Sequence, residues 1–216
     1  RIRIACENSE RKPEAIEILP VTKTHAVLAA QFAQEAGFRA VGENRVQEAM
    51  EKRVARECPE GLEWELIGHL QSNKARDAVE TFDRIQSVDS QKLLNRLNRF
   101  AGEIGKNLRI LLQINAGEDP KKYGVSCEEA KAFTEAALKC EHLQVEGFMT
   151  IAPLDENSQV ARDCFFRMRD LRDSLQAAFR SPFPVLSMGM TGDLEPAIEA
   201  GSTQIRVGTA LFGARE

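Results

Sequence analysis

The chain has 216 residues, 43% of them hydrophobic and 29% charged, with a formal net charge of -4. That balance suits a globular protein with a sizeable core, and it offers no overall basic field for nucleic acid or anionic lipid. No apolar run approaches the roughly 20 residues of a bilayer-spanning helix, and no signal-peptide pattern opens the chain. The first residue is Arg1, which reads as a sequence lacking its natural start. Cys6, Cys58, Cys127, Cys140 and Cys164 are scattered, odd in number and without a C-x-x-C pair, and His25, His69 and His142 lie far apart. Neither a disulfide framework nor a zinc site is expected, and a reducing cytoplasm is the default compartment.

Taken in chain order, the apolar pattern switches repeatedly between short runs and helical spacing. A basic opening stretch over 1–10 reads as the end of a helix, and 16–22 as the first strand. A helix is expected over 25–35, with apolar Val27, Leu28, Ala30 and Phe32 and a stop at Gly37. Residues 39–42 are short and extended, and 46–57 form a charged amphipathic helix. Strands at 62–68 and 84–88 bracket a helix at 73–82. A helix over 90–104 then leads to a strongly apolar strand at 108–114, backed by a helix at 128–139. The chain continues with strands at 145–151 and 185–188 separated by a long helix at 157–179. It closes with a short helix at 194–200 and a strand at 204–207.

Eight strands thus alternate with helices, and they read as continuous apolar runs, as strands covered by helices do. A closed barrel and an open doubly wound sheet both alternate in this way. Eight units, no strand-rich second region, and no G-x-G-x-x-G or P-loop favour a single (β/α)8 barrel occupying residues 1–216.

A barrel of this kind places its site at the C-terminal strand ends. Strand one ends at Lys23, strand two at Glu43 and Asn44, and strand three at His69 and residues 71–74. Asn115 and Thr150 end strands five and six; strands seven and eight end in 187–191 and 206–209. Ser187, Gly189 and Thr191 offer hydroxyls and exposed backbone, and Thr191 or Asp193 is placed to cap the helix near Leu194. Gly208 and Thr209 leave little bulk, so backbone N–H groups can approach a phosphate, which barrels commonly bind after strands seven and eight. Arg206 shares the inward parity of Gly208, and a charge inside an apolar strand needs a partner. Lys23 follows an apolar strand end, where lost solvation disfavours an ammonium and frees an amine to attack a carbonyl. It reads equally as the start of a surface loop until the phosphate loops next to it are considered; an aldehyde phosphate, pyridoxal phosphate (PLP), needs both features. Asn44 serves as well for a helix cap as for a ligand contact. His69 reads as a satisfied mouth histidine, and Lys74 and Arg76 as solvated helix residues.

At these positions the sequence resembles the YggS/PROSC family of pyridoxal phosphate homeostasis proteins. The likeness runs through VTKT at 21–24, GEN at 42–44, WELIGHLQSNK at 64–74, GFMT at 147–150, LSMGM at 186–190 and RVGTALFG at 206–213. Thr22 and Thr191 stand where serine is common, and both keep a hydroxyl. The resemblance implies that Lys23 holds PLP as a Schiff base and that Ser187, Gly208 and Thr209 bind the phosphate, with Thr191 nearby. It further implies that Arg206 faces the pyridine nitrogen and that Asn44 and Met188 line the ring.

The barrel is also similar to the N-terminal domain of alanine racemases, so a PLP-dependent racemase-like enzyme is the rival reading. Those enzymes bring a catalytic tyrosine from an added β domain, for which a chain ending at Glu216 leaves no room. The only tyrosine, Tyr123, falls in the loop after strand five. Two-base racemisation then lacks a component. The family implies a non-enzymatic PLP binder that buffers or delivers the aldehyde, with PLP-dependent apo-enzymes as recipients, and a monomer is expected because no exposed strand edge or extra domain invites pairing. A nucleic-acid or protein adaptor rests only on Lys74 and Arg76.

Overall fold

The computed structural model describes residues 1–213, so the expected domain end at Glu216 lies outside the described residues. Eight parallel strands follow one another around a ring: β1 (Glu17–Pro20), β2 (Ala40–Glu43), β3 (Glu63–Leu66), β4 (Arg84–Val88), β5 (Leu108–Gln113), β6 (Leu143–Met149), β7 (Val185–Met190) and β8 (Gln204–Val207). The ladder runs unbroken from β2 through β8 to β1. An isolated bridge between Val21 and Gly42, with the Thr22 N–H donating to the Gly42 carbonyl at 3.1 Å, joins its two ends. The closed barrel expected from the sequence is the observed fold.

Helices return the chain between strands: α1 (Ile2–Asn8), α2 (Leu28–Glu35), α3 (Val46–Val54), α4 (Ala75–Thr81), α5 (Gln91–Glu103), α6 (Ala130–Leu138), α7 (Ser158–Phe179), α8 (Leu194–Glu199) and α9 (Thr209–Phe212). Local chemistry starts two of them. The Ser90 hydroxyl accepts from Leu93 N–H ahead of α5, and the Asn157 side chain accepts from Gln159 N–H ahead of α7. Leu93, Leu94, Leu97 and Ala101 form the buried stripe of α5 against the sheet. The main core lies in this layer between strands and helices, with Trp64, Phe82, Phe148, Phe165 and Phe183 fully buried.

Three features depart from the sequence reading. The helix expected from His25 begins at Leu28, because residues 22–27 form a turn in which Thr24 takes a left-handed φ of 66°. The last strand is followed by α9, which a Gly-Thr pair did not signal. Most consequentially, the barrel interior is not a continuous apolar run. Glu65, Arg84, Gln86, Gln204 and Arg206 are all buried there. Each strand turns alternate residues inward, and strands side by side bring these polar groups within hydrogen-bonding reach of one another.

Candidate functional site at the barrel mouth

A cleft of about 160 Å³ opens at the C-terminal end of the barrel, lined by ends of β1, β7 and β8 and the loop after β3. Of the residues singled out in the sequence, Lys23, Thr191, Arg206, Gly208 and Thr209 line it together. Val21, His25, Ile67 and Met190 join them without having been anticipated. His25 also packs its ring on Phe212 at 5.4 Å, tying the Lys23 turn to α9.

Lys23 is half-buried in the turn after β1. The residues on both sides of it are held from α3. Thr22 is fully buried; its hydroxyl donates to Glu43 Oε1 at 2.6 Å, and its carbonyl accepts from Lys52 Nζ at 2.9 Å. Lys52 Nζ also donates to Glu43 Oε1 at 2.6 Å and to Glu48 Oε1 at 2.8 Å, so its three donors have three acceptors. The Thr24 N–H donates to the same Glu48 oxygen. Burial pushes the Glu43 carboxyl above the usual carboxylate range, against the pull of its hydrogen bonds from Lys52 and Thr22. Its Oε2 is buried and lacks a hydrogen-bond partner among the described residues.

Across the cleft, α8 and α9 begin beside Thr191, Gly208 and Thr209. First-turn N–H groups of a helix have no intrahelical acceptor, which makes such ends suited to an anion. The expected cap at α8 takes a different form: Asp193 occupies the N-cap position, but its carboxylate accepts from Met190 N–H at 2.6 Å.

Arg206 forms the cleft floor. It is 3% exposed and donates through Nη1 to Ser187 Oγ at 2.8 Å and through Nη2 to the Thr150 carbonyl at 3.0 Å. Neither acceptor carries a charge. Burial lowers its guanidinium to about 10, which leaves it protonated at neutral pH. The chain of bonds continues inward: the Ser187 hydroxyl donates to Gln86 Oε1 at 2.7 Å, and Gln86 Nε2 donates to Glu65 Oε2 at 2.6 Å and Gln204 Oε1 at 2.7 Å. Arg84 meets Glu65 at 2.7 Å and Glu146 at 2.7 Å.

Three expected site residues are therefore placed elsewhere. The Ser187 hydroxyl is fully buried, donating to Gln86 and accepting from Arg206, so it supports the cleft floor and does not line the cleft. Met188 is fully buried in the main core. The strand bulges between Ser187 and Met190, where Gly189 adopts a φ of 93° and a Cβ would stand 2.5 Å from that of Ala197. The bulge resets the two-residue alternation, so Met190 reaches the cleft. Asn44 is an exposed rim residue after β2; its carbonyl lies where a Cβ on Gly68 would come within 2.1 Å.

The β3–β5 side of the mouth has a different character. His69 Nδ1 lies 2.9 Å from Asp89 Oδ2, and the Tyr123 ring stacks on the imidazole at 3.6 Å and 8°. Asn115 does not enter the cleft either; its side chain closes a local loop with Asp119. All five cysteines are free, and among the described residues no cluster of histidine, cysteine and carboxylate side chains could hold a metal. No helix among them is long and apolar enough to cross a membrane.

The pattern of the alanine racemase N-terminal domain family matches residues 6–216. A pyridoxal phosphate homeostasis protein of Haemophilus influenzae is 37% identical over all of this chain and 92% of its own length, and one of Aquifex aeolicus is 37% identical over all of this chain and 94% of its own. This chain belongs to the pyridoxal phosphate homeostasis protein family. Among solved structures, PipY of Synechococcus elongatus, with PLP bound, superposes with a TM-score of 0.86 at 37% identity, covering 99% of this chain and all of PipY. An alanine racemase of Clostridium difficile shares the fold at a TM-score of 0.81 but 17% identity, with this chain spanning 56% of it. The homeostasis family and the racemases thus share one barrel.

Proposed function

We propose that this protein binds PLP and takes part in intracellular PLP homeostasis, with Lys23 holding the cofactor as a Schiff base. The observation that carries this reading is the cleft lining: Lys23 and the fully buried Arg206 face one cavity whose lining residues include no carboxylate. A buried guanidinium without an acidic hydrogen-bond partner favours an anionic guest, and the starts of α8 and α9 supply neutral donors for a phosphate. Thr191, Gly208 and Thr209 would hold that phosphate, and Arg206 would face the ring nitrogen. When bound, PLP supplies an electrophilic aldehyde and an electron-withdrawing ring. Lys23 would supply the amine for that aldehyde, whose oxygen would leave as water. Arg206 carries a fixed positive charge and disfavours a proton on the ring nitrogen, which suits a carrier better than an electron sink.

Purified protein reconstituted with PLP should show visible absorbance from an imine, and borohydride should fix the cofactor to Lys23. Retention of borohydride-fixable PLP by Lys23→Ala would overturn the assignment.

The relatives are named as homeostasis proteins, and we extend that to a carrier without turnover, acting as a monomeric barrel unit in the reducing cytoplasm and passing PLP to apo-enzymes. The rival racemase-like reading draws on the mouth tyrosine, yet Tyr123 stacks on His69 and does not line the cleft. Incubation with single-enantiomer amino acids in deuterated water separates the two. The carrier reading expects Cα–H exchange no faster than with free PLP, and enzyme-like exchange would favour the rival.

A further inference from the structure

Lys23 sits in a tight turn that the His25 N–H closes locally by donating to the Thr22 carbonyl at 3.1 Å. Thr24 is β-branched and sits in the left-handed region at φ 66°, a conformation that is unfavourable for such a residue. Strain of this kind persists only where the surroundings over-determine it. Beyond that local bond, two residues of α3 grip the turn. Lys52 Nζ takes the carbonyl of Thr22, which belongs to the peptide leading into Lys23, and Glu48 takes the N–H of Thr24, which belongs to the peptide leading out. Lys52 and Glu48 are themselves joined at 2.8 Å, and Lys52 is anchored below by the buried Glu43. The two peptides bracketing Lys23 are thus gripped by a single ion-paired unit on a neighbouring helix. Neither Glu48 nor Lys52 lines the cleft.

We propose that Lys52 and Glu48 are positioning residues for Lys23, clamping its strained turn so that the amine is presented to the cleft. The proposal rests on the Schiff-base reading above. It makes a specific demand: losing the clamp should weaken capture of an aldehyde through Lys23 while leaving recognition of ring and phosphate intact. Pyridoxine 5′-phosphate, which has an alcohol in place of the aldehyde, isolates the second contribution.

The experiment titrates full-length wild type, Glu48→Ala, Glu48→Gln and Lys52→Met with PLP and, separately, with pyridoxine 5′-phosphate. Glu48→Ala should weaken PLP binding by about tenfold, the scale of a lost hydrogen bond to a charged group, with pyridoxine 5′-phosphate affinity within about twofold of wild type. Glu48→Gln keeps an oxygen for the Thr24 N–H and should recover most of the loss. Lys52→Met should behave like Glu48→Ala; if it fails to fold, the Glu48 pair decides alone. Unchanged PLP affinity in Glu48→Ala, equal loss for both ligands, or a Glu48→Gln as weak as Glu48→Ala would each overturn the clamp. Failure of the underlying reading looks different, since wild type itself would then yield no borohydride-fixed PLP on Lys23.

Discussion

Two buried ionic clusters serve opposite sides of the cleft, and they are built differently. Inside the barrel, Glu65, Arg84, Gln86, Gln204, Ser187 and Arg206 form a chain in which every member finds partners, running from Glu146 near the barrel floor to the cleft. Behind the Lys23 turn, Glu43, Lys52 and Glu48 gather two carboxylates around one ammonium, leave Glu43 Oε2 without a partner, and adjoin a strained threonine. A saturated network stiffens what it touches, whereas the second cluster carries the cost of an unpartnered buried oxygen while its satisfied bonds hold the strained turn. The first cluster fixes Arg206 as an immobile floor; the second supports the one side chain expected to react.

The largest test of that contrast is Arg84→Met. It leaves Glu65 buried without its cation, and unfolding by urea should show a loss of about 3–5 kcal/mol. A loss below 1 kcal/mol would mean that the inner chain is not the rigid element described. Ser187→Ala is expected to cost less, roughly 1–3 kcal/mol, because Gln86 Oε1 and one Arg206 donor lose their partner inside the barrel. It should also lower PLP affinity through a less constrained Arg206, and an unchanged affinity would restrict Ser187 to a stabilising role. The smallest effect concerns pH. Burial raises the Glu43 carboxyl in the folded state, so between the ordinary carboxylate value and the raised one the folded protein binds more protons than the unfolded. Stability conferred by that group is therefore present below the ordinary value and lost as pH rises through the raised one. Burial raises Glu65 in the same direction, so Glu43→Gln should shallow the fall in urea midpoint without removing it. A profile that is unchanged in Glu43→Gln would show that this carboxyl does not titrate in that window.

Much of the fold is legible along the chain because strands and helices differ in period. Strands 84–88 and 204–207 have the bounds expected for them, and α7 lies within a residue of its expected bounds. Chain order also brings the strand ends of a parallel barrel to one face, and Lys23, Thr191, Arg206, Gly208 and Thr209 line a common cleft there. What sequence could not settle is where a local rule is overridden by neighbours distant in the chain. The bulge at Gly189 turns Met190 into the cleft, Met188 faces the helix layer beside an inward Ser187, and Ser187 bonds Gln86, 101 residues away. Glu43 and Lys52 read as ordinary charges of a strand end and a surface helix, and only barrel closure brings them against Thr22. Residue types and spacing thus determined which chemistry is available at the mouth. Tertiary packing decided which of those groups face the cleft and which are consumed in holding it, because a buried polar atom takes the nearest partner that the closed barrel supplies.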